Sequence, residues 1–145
     1  MNNQSINSGG QDCEKQLDKS QALYHEGRAL MEAGELEQAV QRLKQSAEAM
    51  PHFKSLELLG ECLLKLRRPL DAIIPLAAAT ALNNQVRAPS LLAQAFLECG
   101  EFLEAGEFAS LVLKKAPGNR VARAIMEIPA VKLALARSRG DESTA

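Results

Sequence analysis

Residues 56–84 read LELLGECLLKLRRPLDAIIPLAAATALNN, and the alternation of large and small side chains in this stretch decides the fold. Leu56, Gly60 and Leu63 fall on one helical face at spacings of four and three, and after a break around Arg67 the residues Ala72, Leu76 and Ala79 do the same. Stepping outward by a constant 33 residues brings back the same residue classes. The small positions are Gly27, Gly60 and Ala93, then Ala39, Ala72 and Ala105; the large ones are Leu30, Leu63 and Phe96, then Leu43, Leu76 and Ala109; Pro51, Asn84 and Pro117 close each unit. A fixed period of this length predicts a helical repeat array in which every unit buries its apolar face on its neighbour.

Each unit reads as two short helices. In the first, Leu23, Gly27 and Leu30 are followed by Ala39, Leu43 and Ser46, with Gly34 between them able to take the left-handed conformation that ends a helix. Gly27 and Ala39 let the two backbones approach. In the second unit Pro69 suits the first turn of a helix, and the third runs through Ala93, Phe96, Gly100, Ala105, Val112 and Pro117. This order of large and small residues with a closing proline resembles the tetratricopeptide repeat over residues 19–118, in units of about 20–52, 53–85 and 86–118. The resemblance implies an all-α solenoid of antiparallel helix pairs wound as a right-handed superhelix, of about seven helices once a capping helix is included.

Departures from the pattern concentrate late. Pro89 stands where a large residue normally opens the first helix, Arg67 replaces the turn glycine, and Ala109 replaces a large residue. The third unit is therefore expected to be the least well packed, with Phe102 and Phe108 available to refill the volume. Pro75 falls inside a helix, where it removes one backbone donor and introduces a bend.

Residues 1–18 are polar and aperiodic, which predicts a disordered tail, and residues 139–145 read the same way. Between them, residues 119–138 predict a capping helix with Asn119 as its N-cap. Ala122, Ile125, Met126 and Leu133 form a face for the third unit, and a second apolar line runs through Val121, Ala124, Ile128, Val131 and Leu135. That second line has two readings. Either it is a surplus face for a homodimer or another partner, or Pro129 kinks the helix and turns both lines onto the same array.

The composition bounds the partners. The chain has 145 residues, 46% of them hydrophobic but only 3% aromatic, with no Trp, so small and aliphatic side chains must fill the core. A net charge of -1 gives no footprint for nucleic acid or an anionic membrane surface. The start of the chain lacks a secretory pattern and no run is long enough to span a bilayer, so a cytoplasmic location is expected. Cys13, Cys62 and Cys99 are odd in number and far apart, as free thiols would be.

Chemistry has little support. His25 and His52 have no Ser, Asp or Cys at a recurring catalytic spacing, Gly9-Gly10 precedes no apolar strand, and no phosphate-binding G-x-x-x-x-G-K-[ST] occurs. Glu57 and Glu61 lie one helical turn apart, a spacing that serves paired carboxylates but more commonly marks a solvated face. No enzyme activity, cofactor or metal is expected.

What the repeat resemblance implies is a concave groove lined by the first helices. Carried onto this sequence, its walls are Tyr24 and Arg28, Glu57 and Glu61, and Ser90 and Gln94, with Lys54 and Arg87 near the helix starts and Leu58 and Leu91 along one edge. Met31, Leu64 and Leu97 line the other edge. Family members that clamp a C-terminal carboxylate use Lys and Asn at matched positions, where this chain has Tyr24, Arg28, Leu58 and Leu91, leaving Arg87 as the one fitting cation. A peptide with apolar anchors and a basic residue near Glu57 and Glu61 fits better, unless Glu61 simply pairs with Arg28. The expected function is a protein-interaction module acting as scaffold or adaptor. Two further readings share the groove: a small bacterial chaperone similar to those of type III secretion translocators, on the runs Gly60-Glu61-Cys62 and Arg87-Ala88-Pro89, and a non-catalytic regulatory subunit of an enzyme.

Overall fold

The computed structural model describes residues 8–140, which form eight helices: α1 (Ser8–Glu32), α2 (Leu36–Ala49), α3 (Phe53–Lys65), α4 (Pro69–Leu82), α5 (Arg87–Glu98), α6 (Phe102–Lys115), α7 (Arg120–Met126) and α8 (Pro129–Ser138). No strand occurs among the described residues. The helices pair as α1 with α2, α3 with α4 and α5 with α6, and each second helix packs on the first helix of the next unit. The first helices also touch in succession, α1 on α3 and α3 on α5, whereas α2, α4 and α6 do not touch one another among the described residues. An array packed along its first helices and open along its second ones curves with the first helices inside.

The three turns within the pairs are copies of one another. Gly34, Arg67 and Gly100 occupy the same register and all have positive φ, at 82°, 60° and 79°. Each turn carries the same two backbone bonds, in which Glu35, Arg68 and Glu101 donate to Leu30, Leu63 and Phe96, and the positive-φ residues donate to Met31, Leu64 and Leu97. This is the Schellman ending. Arg67 therefore holds the glycine conformation with a Cβ, at a cost of roughly 1–2 kcal/mol, because the tertiary contact of α3 with α4 demands that turn.

Between paired helices the contact is a small residue against a large one. A Cβ added to Gly27 would come within 2.7 Å of Leu43 Cγ, and one added to Gly60 would collide with Leu76 Cγ and both its Cδ atoms. In the third unit the pair is Ala93 with Ala109, both fully buried. In this register the bulk removed at Ala109 is matched by the methyl that Ala93 adds, and both positions are closed to solvent. Phe108 stacks on Phe96 with ring centroids 5.7 Å apart, while Phe102 is 38% exposed and belongs to neither core cluster. Pro89 is the third residue of α5, where its missing donor has no intrahelical partner to lose. Around Pro75, α4 runs on without interruption to Leu82.

At the amino end the structure corrects the expectation of disorder over residues 8–18. α1 is already helical at Ser8, and residues 9–19 are all exposed along it. Extending a formed helix adds one hydrogen bond per residue without a new nucleus, and Gln11–Lys19 contains no proline or glycine to stop it. Residues 1–7 and 141–145 lie outside the described residues. Where α1 enters the array, a buried hydroxyl cluster replaces apolar packing. Ser20 Oγ donates to the Ser46 carbonyl at 2.9 Å, Ser46 Oγ donates to the Ser20 carbonyl at 2.7 Å, and the Ser46 and Ser55 hydroxyls are 2.8 Å apart.

The carboxyl end is two helices rather than one capping helix. Asn119 Oδ1 accepts from the Ala122 amide at 2.9 Å, starting α7, and Pro129 opens α8 after a break at Glu127–Ile128. The break separates the second apolar line. Val131 is fully buried and Leu135 nearly so, seated against Gly106 of α6, where a Cβ would come within 2.9 Å of either. Ile128 is half-buried in the same cluster, whereas Val121 and Ala124 are exposed. Residues 121, 124, 128, 131 and 135 therefore form no continuous surface for a second chain. Leu133, expected to face the array, is instead 50% exposed. Pro129 turns the helix, so that α7 supplies Ala122 and Ile125 to the core and α8 supplies Val131 and Leu135.

Candidate functional site

The inner, concave side carries a groove of about 440 Å³ between α1 and α3, closed at one end by the start of α5. α1 contributes Tyr24, Arg28, Met31 and Glu32; α3 contributes Phe53, Lys54, Glu57, Leu58 and Glu61; Gln85 and Arg87 come from the turn into α5. The residues recur at one helical turn because the opposite face of each first helix is committed to the core through Gly27 or Gly60. A groove of this size is in the range of ligand-binding clefts.

Of the residues expected from sequence, Tyr24, Arg28, Lys54, Glu57, Leu58, Glu61 and Arg87 line this groove. Leu91 and Gln94 line a neighbouring depression with Glu61, Leu64, Lys65 and Glu98. Ser90 does not line the groove, being buried with its hydroxyl 3.5 Å from Asn119 Oδ1 on the side of α7. Glu32, Phe53 and Gln85 were not expected in it. Glu32 and Phe53 lie one turn from Arg28 and Glu57, a spacing that marks them as neighbours, but Gln85 sits in a connection that carries no periodicity.

Most of the charge in the groove is neutralised inside the chain. Arg87 Nε lies 3.2 Å from Glu57 Oε1, and Arg87 Nη2 donates to Glu61 Oε2, so one guanidinium bridges two carboxylates of α3. Lys65 adds a contact of 3.6 Å to Glu61. Arg28 pairs with Glu32 on its own helix at 3.1 Å and not with Glu61. Glu57 is only 6% exposed. Burial pushes its carboxyl above the usual range, Arg87 pulls it part of the way back, and Glu61 pushes it up again. Lys54 alone among the groove cations has no ion-pair partner among the described residues. Arg87, the one cation positioned for a carboxylate clamp, is already engaged.

Cys62 of α3 and His52 at its N-cap are both committed to structure. Cys62 is buried in the core and burial pushes its thiol up to about 11, which keeps it protonated near neutrality. His52 spends Nδ1 on capping α3, accepting from the Lys54 amide at 3.2 Å. Among the described residues, no group of His, Cys, Asp and Glu is arranged to hold a metal ion, and no helix is long and apolar enough to cross a membrane.

Comparison with solved structures places this architecture. The first tetratricopeptide domain of Spaghetti (RPAP3), bound to an HSP90 peptide, superimposes with a TM-score of 0.73 at 22% identity, over 83% of this chain and 95% of that one. The chain has the tetratricopeptide-repeat fold. YrrB, a repeat protein described as having an unusual peptide-binding site, matches over 94% of this chain and 75% of its own with a TM-score of 0.70 and 21% identity. The Yersinia enterocolitica type III secretion chaperone SycD, in complex with a peptide of the translocator YopD, matches over 83% of this chain and 95% of its own, with a TM-score of 0.68 and 16% identity. No family model matches the chain, and neither does any curated protein.

Proposed function

We propose that this tetratricopeptide array is a non-catalytic interaction module that takes an extended segment or short helix of another protein into the groove between α1 and α3. The observation that carries this is the composition of the groove: four apolar or aromatic side chains, Tyr24, Met31, Phe53 and Leu58, beside charges that are already paired, with Lys54 left over. Apolar anchors in such pockets supply affinity, and the isolated ammonium selects an acidic group on the ligand. A basic ligand residue at Glu57 and Glu61 would have to displace Arg87, so the acidic group at Lys54 is preferred to it. The solved neighbours that hold peptides support a peptide-binding role for the same architecture.

Affinity capture of a partner, followed by binding measurements on Tyr24→Ala and Lys54→Glu, tests this reading. Each substitution should weaken binding by at least about tenfold, with circular dichroism unchanged because Lys54 is exposed and Tyr24 only flanks the core, partly buried against it. Unchanged affinity in both variants would mean that the partner sits elsewhere. The likeness to SycD favours a second, narrower reading as a chaperone of a hydrophobic secreted client. That version expects co-expression with such a client to yield a soluble complex sensitive to the same two substitutions.

A further inference from the structure

The outer face of α4 departs from its counterparts. Leu70 and Ile74 are 73% and 78% exposed, and Ala77 and Ala81 continue the same stripe at spacings of four, three and four. In the 33-residue register the equivalent side chains of α2 are Glu37, Gln41, Lys44 and Glu48, all exposed, and α6 carries Glu107 and Lys114 at the positions of Ile74 and Ala81. Solvated polar residues thus fill this face in α2, and charge interrupts it in α6. Only α4 is apolar along the whole stripe. It stands on the convex side, where no backbone of α2 or α6 comes close among the described residues, and only Lys44 of α2 shares the groove beside Leu70 and Ile74.

We propose that this stripe is a self-association surface, on which α4 of a second copy of this chain packs antiparallel. The order of side chains is what selects the occupant. An antiparallel two-fold axis between Pro75 and Leu76 sets Leu70 over Ala81 of the second copy and Ile74 over Ala77, large against small at every level, as interdigitating helices require. A parallel arrangement would set Leu70 on Leu70 and Ile74 on Ile74, leaving alanine opposite alanine. Charge agrees with the antiparallel choice. Arg68, which shares a surface groove with Leu70 and Ile74 and pairs at the surface with Asp71 at 2.9 Å and Glu37 at 3.9 Å, would in addition lie beside the carbonyl end of the other α4. One helix face is narrower than the roughly 800 Å² per partner of a stable complex, so the dimer is concentration-dependent.

Analytical ultracentrifugation of the full chain from micromolar to millimolar concentration reads this directly. The wild type should pass from the mass of one chain toward twice that mass, and Ile74→Glu, at an exposed position, should raise the dimer dissociation constant at least about tenfold with the same helical circular dichroism. Leu70→Ala and Ala81→Leu should each weaken association. Their combination restores large against small with the sizes exchanged, and should recover it. A wild type that stays at one mass throughout overturns the proposal, as does a dimer indifferent to Ile74→Glu. Failure of the exchanged pair to recover association overturns the antiparallel register.

Discussion

The contact between Gly60 and Leu76 can be broken and rebuilt by design. In Gly60→Ala the added Cβ meets Leu76 Cγ, Cδ1 and Cδ2 at once, and Leu76 has no exposed surface toward which to move. Overpacking of this kind costs about 1–3 kcal/mol, of which the better helix propensity of alanine returns about 1. Leu76→Ala alone empties a buried site and costs about 2–5 kcal/mol. The double variant reproduces the Ala93 and Ala109 pair of the third unit, with the new methyl entering the space the isobutyl group vacated. It should therefore cost at least about 1 kcal/mol less than the two single losses added together. Urea unfolding followed by circular dichroism measures all four corners of this cycle. Single losses that add to within about 0.3 kcal/mol, or a Gly60→Ala chain more stable than the parent, would refute the view that these small positions are set by the facing leucine.

Three other outcomes follow from the same structure. Arg67→Gly removes a Cβ from a left-handed turn and, after the greater freedom glycine has when unfolded, should stabilise the chain by about 0.5–1 kcal/mol in thermal or urea unfolding. Ser46→Ala strips the hydroxyl cluster of its central member and leaves the buried Ser55 hydroxyl without a partner, while Ser20 Oγ keeps the Ser46 and Met50 carbonyls, at a loss of about 1–3 kcal/mol. Glu57 has a folded pKa raised by burial, so its protonated form is favoured on folding. The stability this confers is fully present below the unfolded carboxyl value and is lost as pH rises through the raised one. Compared with Glu57→Gln, the parent chain should therefore be relatively most stable at acid pH and lose ground toward neutrality. A difference that instead grows in the parent's favour with pH would mean that attraction to Arg87 outweighs the burial.

The repeat is legible in the sequence because helix contact constrains single positions: Gly27 and Gly60 exist to admit Leu43 and Leu76, and so they recur. Ala93 and Ala109 looked like decay of the pattern when read one at a time, although together they conserve it. The first turns of α1 carry no such signal, since a helix exposed on every side has no apolar period to detect. The two apolar lines near the carboxyl end were visible, but which way Pro129 turned the second one depended on the space over Gly106. The groove was legible where it lies on periodic helices, as at Tyr24, Arg28 and Leu58. Its electrostatics were not, because Arg87 reaches Glu57 and Glu61 across 30 and 26 residues of chain, and no local spacing encodes that pair.

The concave groove between α1 and α3 is the central claim, and amide chemical-shift mapping tests it most directly. Titration of the labelled chain with the captured partner segment should move the resonances of Tyr24, Arg28, Met31, Lys54 and Leu58 and leave those of α4, α7 and α8 in place. Shifts confined to α7, α8 or the outer face of α4, with the groove residues still, would contradict it.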